Sequence, residues 1–516
     1  MKRILRNITI LSLSVLGFSS VLTSCDKTID EPQRVGYVPA NVDEKAGTWK
    51  TYILTAPTDV TVATPASVTS TEYQAELTDL KSKSASLTRE QQEAVVYWGA
   101  GAVYRWNEIA RELAARYNVP PASTPDGKYP VPDASNPLAD PRFPFANPPY
   151  TARALAYLSV AQYDALVSAW HYKYKFRRSA PSKIDGAVRV ALPVSALPTY
   201  PSEDAVVAAA SYTVLKAMFP GEGPFLDAKL AEHRNSRLWA GMNVASDLAA
   251  GTSLGNQVAA SVMARARTDG MSAANNQSLT TDMIAAAKAR GLSEIWVSQE
   301  IPARPPMLPN YGAVTPWNFD KATVARLRPG PPPALTSPEF AKALDELKTI
   351  NRNQTREQAR IANYWADGAG SYTPPGHWNR TAANAAHEAR FSEIRMARTL
   401  ALVGTTLMDA GVCCWETKFY YYFPRPQQFG IKTSVGLPNF PSYTSGHSTF
   451  SAAAATVLGY VFPDRATEFW GKAQEASDSR VYGLIHYRFD CEAGLTCGKN
   501  IGNYAIARGK ADGSGF

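Results

Sequence analysis

The sequence predicts an all-α fold made of two related helical bundles that arose by internal duplication, with only the C-terminal bundle catalytic. Three observations predict it. Strand signals are few, whereas Ala-rich amphipathic periods recur along most of the 516 residues. A long pattern occurs twice: Ala152-Arg-Ala-Leu-Ala-x7-Asp164-Ala-x4-Trp170-x2-Lys173 returns as Ala397-Arg-Thr-Leu-Ala-x7-Asp409-Ala-x4-Trp415-x2-Lys418, 245 residues later. The match continues downstream at an offset of 243, where Thr213-Val-Leu215 and Phe219-Pro220 answer Thr456-Val-Leu458 and Phe462-Pro463. Ser236-Arg237-x5-Asn243-x3-Asp247-x2-Ala250-Gly251 likewise answers Ser479-Arg480-x5-His486-x3-Asp490-x2-Ala493-Gly494. A near-constant offset over three segments marks a repeat and sets the reading of the whole chain.

In chain order, residues 1–24 carry Lys2, Arg3 and Arg6 ahead of an apolar run from Ile8 to Val21. That is the pattern of a signal peptide. Leu22-Thr23-Ser24-Cys25 resembles the bacterial lipoprotein box, which implies cleavage before Cys25, lipidation of Cys25, export and anchoring to a membrane. Residues 25–87 read as tether and N-terminal arm, 88–290 as the first, degenerate bundle, 291–335 as a Pro-rich linker and 336–516 as the second bundle. No other apolar run reaches the eighteen or so residues of a membrane span. Loss of the three leader cations takes the net charge from +8 to +5, with no Lys/Arg block, which argues against a nucleic-acid partner.

Within the first bundle, Glu90 to about Tyr117 is helical in period, Val119 to Pro149 is a Pro-rich loop, and Thr151 to Phe176 reads as one long helix. In the second, Pro338 to Trp365 is helical, Gly368 to Trp378 reads as a Gly/Pro/aromatic loop, and a helix from about Ser392 stops at Pro424. Cys491 and Cys497 flank a short Gly-containing stretch and are open to a disulfide or to two buried thiols; pairing among Cys413, Cys414, Cys491 and Cys497 is not fixed by sequence. His377 and His387, ten apart and without paired Cys motifs, do not make a zinc site.

Chemistry gathers between Lys418 and Asp490. Lys418 and Arg425 form a K-x6-R-P string, Ser445-Gly446-His447 precedes an Ala-rich run, and Ser479-Arg480 precedes His486 and Asp490. Three cations, Lys418, Arg425 and Arg480, suit a group with several charged oxygens, and arginine adds fork-shaped donors. Gly446 at a helix start exposes free backbone N–H groups to such a group. The four-residue spacing of His486 and Asp490 predicts a shared helix face, with the carboxylate holding one imidazole nitrogen and the other aimed at the ligand. The first copy has Asp204 in place of His447 and Asn243 in place of His486, so it can neither attack nor shuttle protons. Its Lys173, Ser236 and Arg237 are read as packing and helix-end residues.

The three clusters together resemble the signature of the type 2 phosphatidic acid phosphatase and vanadium-dependent haloperoxidase superfamily, with Thr444 departing from the usual Pro before Ser445. Over most of 88–513, segments such as Leu308–Trp317, Thr373-Pro-Pro-Gly-His-Trp378 and Ala397–Pro426 resemble the bacterial two-bundle haloperoxidases. The resemblance implies one of two reactions on the same residues. As a haloperoxidase, the site would hold vanadate with His486 as its vanadium ligand, Lys418, Arg425, Ser445, Gly446 and Arg480 on its oxygens, and His447 assisting peroxide protonation for halide oxidation. As a phosphatase needing no cofactor, His486 would attack a small anionic phosphoester, Asp490 would orient it, and His447 would serve the leaving oxygen and then water. A non-catalytic phosphate-binding lipoprotein is the third reading. Oligomeric state is left open.

Overall fold

The computed structural model describes residues 34–130, 136, 138–140 and 143–515, so the leader and Cys25 lie outside the described residues. From Val35 onward the chain forms one unit. Among the described residues every regular element is helical. The α-helices are α1 (Thr71–Ala85), α2 (Arg89–Gly99), α3 (Ala102–Tyr117), α4 (Pro148–Phe176), the single turn α5 (Pro181–Ile184), α6 (Glu203–Met218), α7 (Gly223–Trp239), α8 (Ala245–Ala266) and α9 (Thr280–Ala289). They continue with α10 (Lys321–Arg326), α11 (Pro338–Asn353), α12 (Arg356–Tyr364), α13 (Thr373–Glu388), α14 (Glu393–Tyr421), α15 (Gly446–Val461), α16 (Ala466–Tyr482) and α17 (Arg488–Lys510). No helix among the described residues is long and apolar enough to cross a membrane.

Helices α4 and α14 pack against each other at the centre, and both are buried on nearly every face, as helices in the middle of a large core must be. Gly404 lets the two backbones close up, since a Cβ there would sit 3.3 Å from Ala156 Cα. Each of these helices is 29 residues long, and each ends at a left-handed residue, Arg177 (φ 54°) and Tyr422 (φ 53°). Further correspondences follow the sequence offset. α6 and α15 both run 16 residues and stop at a Phe-Pro pair, with Phe219 and Phe462 each at φ −128°. Gly251 and Gly255 of α8 lie so close to α6 that an added Cβ would collide with the carbonyls of Ser202 and Val206; Gly494 and Gly498 of α17 meet Ser445 and Thr449 on α15 in the same way.

Two buried carboxylates on the central helices hold the segments that lead into each half. Asp164 of α4 accepts the backbone N–H groups of Tyr52 (2.8 Å), Ile53 (2.7 Å) and Leu54 (3.3 Å). Asp409 of α14 accepts those of Trp317 (2.7 Å) and Asn318 (3.0 Å), and the Asn318 side-chain amide as well (2.8 Å). The N-terminal arm is therefore docked from residue 35 onward, with Trp49 and Val60 in the core, and its last part is the helix α1 instead of extended chain.

Two local expectations change, and one left open is resolved. Glu90–Tyr117 is two helices, because Gly101 (φ 119°) breaks the run between α2 and α3. The stretch Gly368–Trp378 is a loop only as far as Tyr372; Thr373-Pro-Pro opens α13, where prolines at the first positions lose no helical hydrogen bond. Cys491 and Cys497 are free, as are Cys413 and Cys414. Both Cys491 and Cys497 lie on α17, where six residues of helix turn their side chains to different faces.

Replacing Asp164 or Asp409 with Ala strands two or three buried backbone donors, so each change should lower the unfolding free energy by about 3 kcal/mol. Urea unfolding of the full chain checks this, and an unchanged midpoint would show that the clamps add no stability.

Candidate active site

The site lies where α14, α15, the turn before α17 and the 422–444 loop converge. Lys418, in the last turn of α14, is fully buried and donates to the carbonyls of Pro441 (2.9 Å), Ser442 (2.8 Å) and Thr444 (2.5 Å). Arg425 crosses the same loop, donating from Nε to Phe440 O (2.8 Å) and from Nη1 to Ile485 O (2.7 Å). Both cations lie 5.0 Å from the Phe440 ring centroid, so one aromatic ring serves two charges. Arg480 near the end of α16 donates from Nε to Ser479 Oγ (2.8 Å) and from Nη2 to Ala362 O (3.1 Å). Burial pushes Lys418 down to about 8, and Arg425 and Arg480 to about 10. Three buried cations beside two carboxylates, Asp490 and the Asp367 that lies near Arg480 on the cavity wall, leave a positive surplus that an oxyanion would offset.

Ser445 caps α15 by accepting Ser448 N–H (3.3 Å), which puts Gly446 at the first helical position with its N–H free of helical partners. His447 follows, and its Nε2 is buried without a hydrogen-bond partner. Burial, then Arg480, holds this imidazole well below its usual range, so it is neutral near pH 7.

His486 and Asp490 meet as expected, but not on a shared helix face. His486 is in the turn before α17, Tyr487 is the N-cap and Asp490 is at the third helical position. The carboxylate reaches back, accepting His486 Nδ1–H (2.8 Å), Ser442 Oγ–H (2.5 Å) and Tyr487 N–H (3.3 Å) on one oxygen, Oδ2. An acid at this position also suits the positive end of the helix. With Nδ1 committed, His486 turns Nε2 away from Asp490. Burial, then Arg425 and Lys418, keeps its pKa well below the usual value, so the Nε2 lone pair is free.

A cavity of about 290 Å³ opens on this cluster. Gly446, His447, Arg480 and His486 form its wall, while Lys418, Arg425, Ser445 and Asp490 stand behind them and fix the loops. The rest of the wall is largely apolar, with Phe145, Met307, Trp415, Leu437 and Phe440. Sequence reasoning missed Ser442, although it lies in the Pro441–His447 string; its hydroxyl binds Asp490 Oδ2 and sits 3.3 Å from His486 Nδ1. It also missed Phe440, which carries no motif, and the Glu300–Arg304 pair on the cavity wall, which comes from the linker and has no signal near the clusters.

The N-terminal half repeats this skeleton without its chemistry. Lys173 Nζ donates to Pro198 O (2.5 Å) as Lys418 does to Pro441 O, and Ser202 N–H binds Asp247 O (3.0 Å) as Ser445 N–H binds Asp490 O (3.0 Å). Its cations, however, are answered internally: Lys173 by Glu203 (2.6 Å) and Arg237 by Asp204 (3.4 Å). Asn243 only accepts a bond from Ser202 Oγ (3.2 Å).

The described residues form an all-helical fold with a caged, cation-rich cavity served by two neutral imidazoles. Residues 398–507 match the PAP2 superfamily. No curated protein matches in sequence. Among solved structures, the chain is similar to one titled as the first bacterial vanadium-dependent iodoperoxidase, with 21% identity and a TM-score of 0.58 over 79% of this chain and 95% of that one. A bacterial vanadium-dependent chloroperoxidase in its holo form matches at 14% identity and a TM-score of 0.49, over 74% of this chain and 97% of that one.

Removing the Ser442 hydroxyl leaves Asp490 with less support and His486 less firmly aimed. Ser442→Ala should cut turnover about tenfold to a hundredfold, as for other residues that orient a site histidine, without changing the melting temperature by more than a few degrees. Steady-state kinetics beside thermal unfolding read this, and parent-like turnover would remove Ser442 from the site.

Proposed function

We propose that the C-terminal half is an oxyanion-centred enzyme of the haloperoxidase type, using peroxide to oxidise halide, and that the two halves descend from a duplicated helical unit of which only this one is catalytic. One observation carries the reading: His486, neutral and held through Nδ1 by Asp490 at 2.8 Å, shares a cavity wall with Arg480, Gly446 and the orphaned His447 Nε2. A tetrahedral oxyanion fits that donor set. His486 Nε2 would bind the vanadium of vanadate, and Arg480, Gly446, Ser445, Lys418 and Arg425 would balance its oxygens. Bound vanadate supplies Lewis-acid activation of peroxide toward halide. The protein's part is to hold His486 through Asp490 and Ser442, to hold or give a proton at His447 Nε2, and to limit water with the apolar wall. Similarity to the iodoperoxidase fold favours this reading over the next.

The second reading, phosphomonoester hydrolysis, is favoured by the PAP2 match and uses the same geometry. His486 Nε2 attacks phosphorus as the ester P–O bond breaks, and His447, which takes up a proton from water when the anionic ester binds beside it, gives that proton to the leaving oxygen. Neutral His447 then takes a proton from water, whose oxygen displaces His486 and releases phosphate. Non-catalytic phosphate binding is the third reading.

Protein purified with and without added vanadate decides among these. Retained vanadium with peroxide-dependent iodide or bromide oxidation is the expected result. Rapid hydrolysis of p-nitrophenyl phosphate by metal-free protein, with no vanadate-dependent oxidation, would move the assignment to the phosphatase. Binding with neither activity would leave only the third reading. In either enzyme Arg480→Ala should cost about 10²–10³ in turnover, as for loss of other transition-state donors.

We also propose that the protein is exported and lipid-anchored through Cys25, a reading supported by the basic-then-apolar leader and Leu22-Thr23-Ser24-Cys25. Cys25→Ser should remain an unprocessed precursor without lipid, and normal cleavage with unchanged detergent partitioning would contradict this.

A further inference from the structure

The N-terminal half keeps a second cavity of about 120 Å³, bounded by the arm, the start of α14 and the elements equivalent to those of the site. Its chemistry is the reverse of the oxyanion cage. Glu203 and Asp204 stand at the positions of Gly446 and His447, and Glu393 joins them on the wall. Lys173 offsets Glu203, and Asp204 takes one bond from Arg237 and one from His233 Nε2–H (3.1 Å), which leaves Glu393 as the one acid on this wall without a cation. Glu393 accepts Ala102 N–H (3.1 Å) and Val103 N–H (2.8 Å), and among the described residues no Lys or Arg side chain bonds to it. Burial, then Asp204, pushes its carboxyl up to about 8, so it keeps its proton near pH 7 and ionises only when a cation comes beside it. Trp98 and Trp170 add aromatic surface to the same wall, which favours an organic cation.

A second observation points to the other end of a ligand. Arg237 is 4% exposed and lines the cavity, and its Nη2 is buried with no acceptor. A buried guanidinium edge without an acceptor is costly, and it calls for an oxygen that the protein does not supply. The space is small, about 120 Å³, so both demands fall on one compact molecule.

We propose that this cavity binds a small amino-acid zwitterion, its ammonium group at the Glu393–Asp204 side and its carboxylate on Arg237 Nη2. The inference is independent of the reaction assigned to the C-terminal half. Isothermal titration of the full chain with glycine, and in parallel with methylammonium and with acetate, tests it. Glycine should give saturable heat, with each single-charge probe at least tenfold weaker. Asp204→Asn should weaken glycine at least tenfold. Ser195→Trp, which fills the cavity from a half-buried loop position without touching a buried charge, should do the same in a protein with parent-like thermal unfolding. Absence of saturable glycine heat, acetate or methylammonium binding as tightly as glycine, or undiminished glycine binding in Ser195→Trp would overturn the proposal.

Discussion

The Asp490 carboxylate is the interaction on which the site depends. Through one oxygen it fixes His486, Ser442 and the first turn of α17, and its own carbonyl accepts Ser445 N–H at the start of α15. The imidazole, the loop beneath Lys418 and the helix end that carries Gly446 and His447 are thus referred to a single residue. Burying a carboxylate so fully is costly: burial pushes Asp490 up to about 6, against the pull of Ser442, Lys418 and Arg425. Close approach of α15 and α17 makes the arrangement possible, and Gly494 and Gly498 are what permit it.

The two halves show how little need change to gain or lose such a site. Capping bonds, glycine contacts and the Lys-to-carbonyl bond recur almost atom for atom. What differs is whether the buried cations are left for a ligand or answered by the chain. In the N-terminal half Glu203 answers Lys173, and Asp204 takes one bond from Arg237 and one from the His233 imidazole. In the C-terminal half Gly446 and His447 leave the charge surplus standing beside a cavity. The electrostatics of the buried cage, and not the packing around it, distinguishes the C-terminal cavity from its N-terminal counterpart.

Much of this is legible in the sequence because the signals are local or repeated. The 245-residue repeat marks α4 and α14, Pro424 marks the end of the second, and Ser445-Gly446 marks the start of α15. The His486–Asp490 pairing is also legible, but for a different reason than helical periodicity: an N-terminal turn brings i and i+4 together as well as a helix face does. Features set by long-range geometry are not legible. Nothing near Asp164 or Asp409 shows that they grip chain segments about ninety or more residues away in sequence. Likewise Phe440, Asp367 and the Glu300–Arg304 pair reach the cavity from loops whose paths depend on the finished fold. The even choice between a Cys491–Cys497 bridge and free thiols was settled by α17 continuing through both residues.

The central claim is that the C-terminal half presents its buried cations to a tetrahedral, multiply charged oxyanion and the N-terminal half does not. A crystal soaked with tungstate, a heavy and unreactive oxyanion of the same shape, tests this most directly. The account predicts strong density in the C-terminal cavity, against His486 Nε2 and Arg480, and none beside Lys173 and Arg237. Density at Lys173 and Arg237, or an empty C-terminal cavity at saturating tungstate, would contradict it.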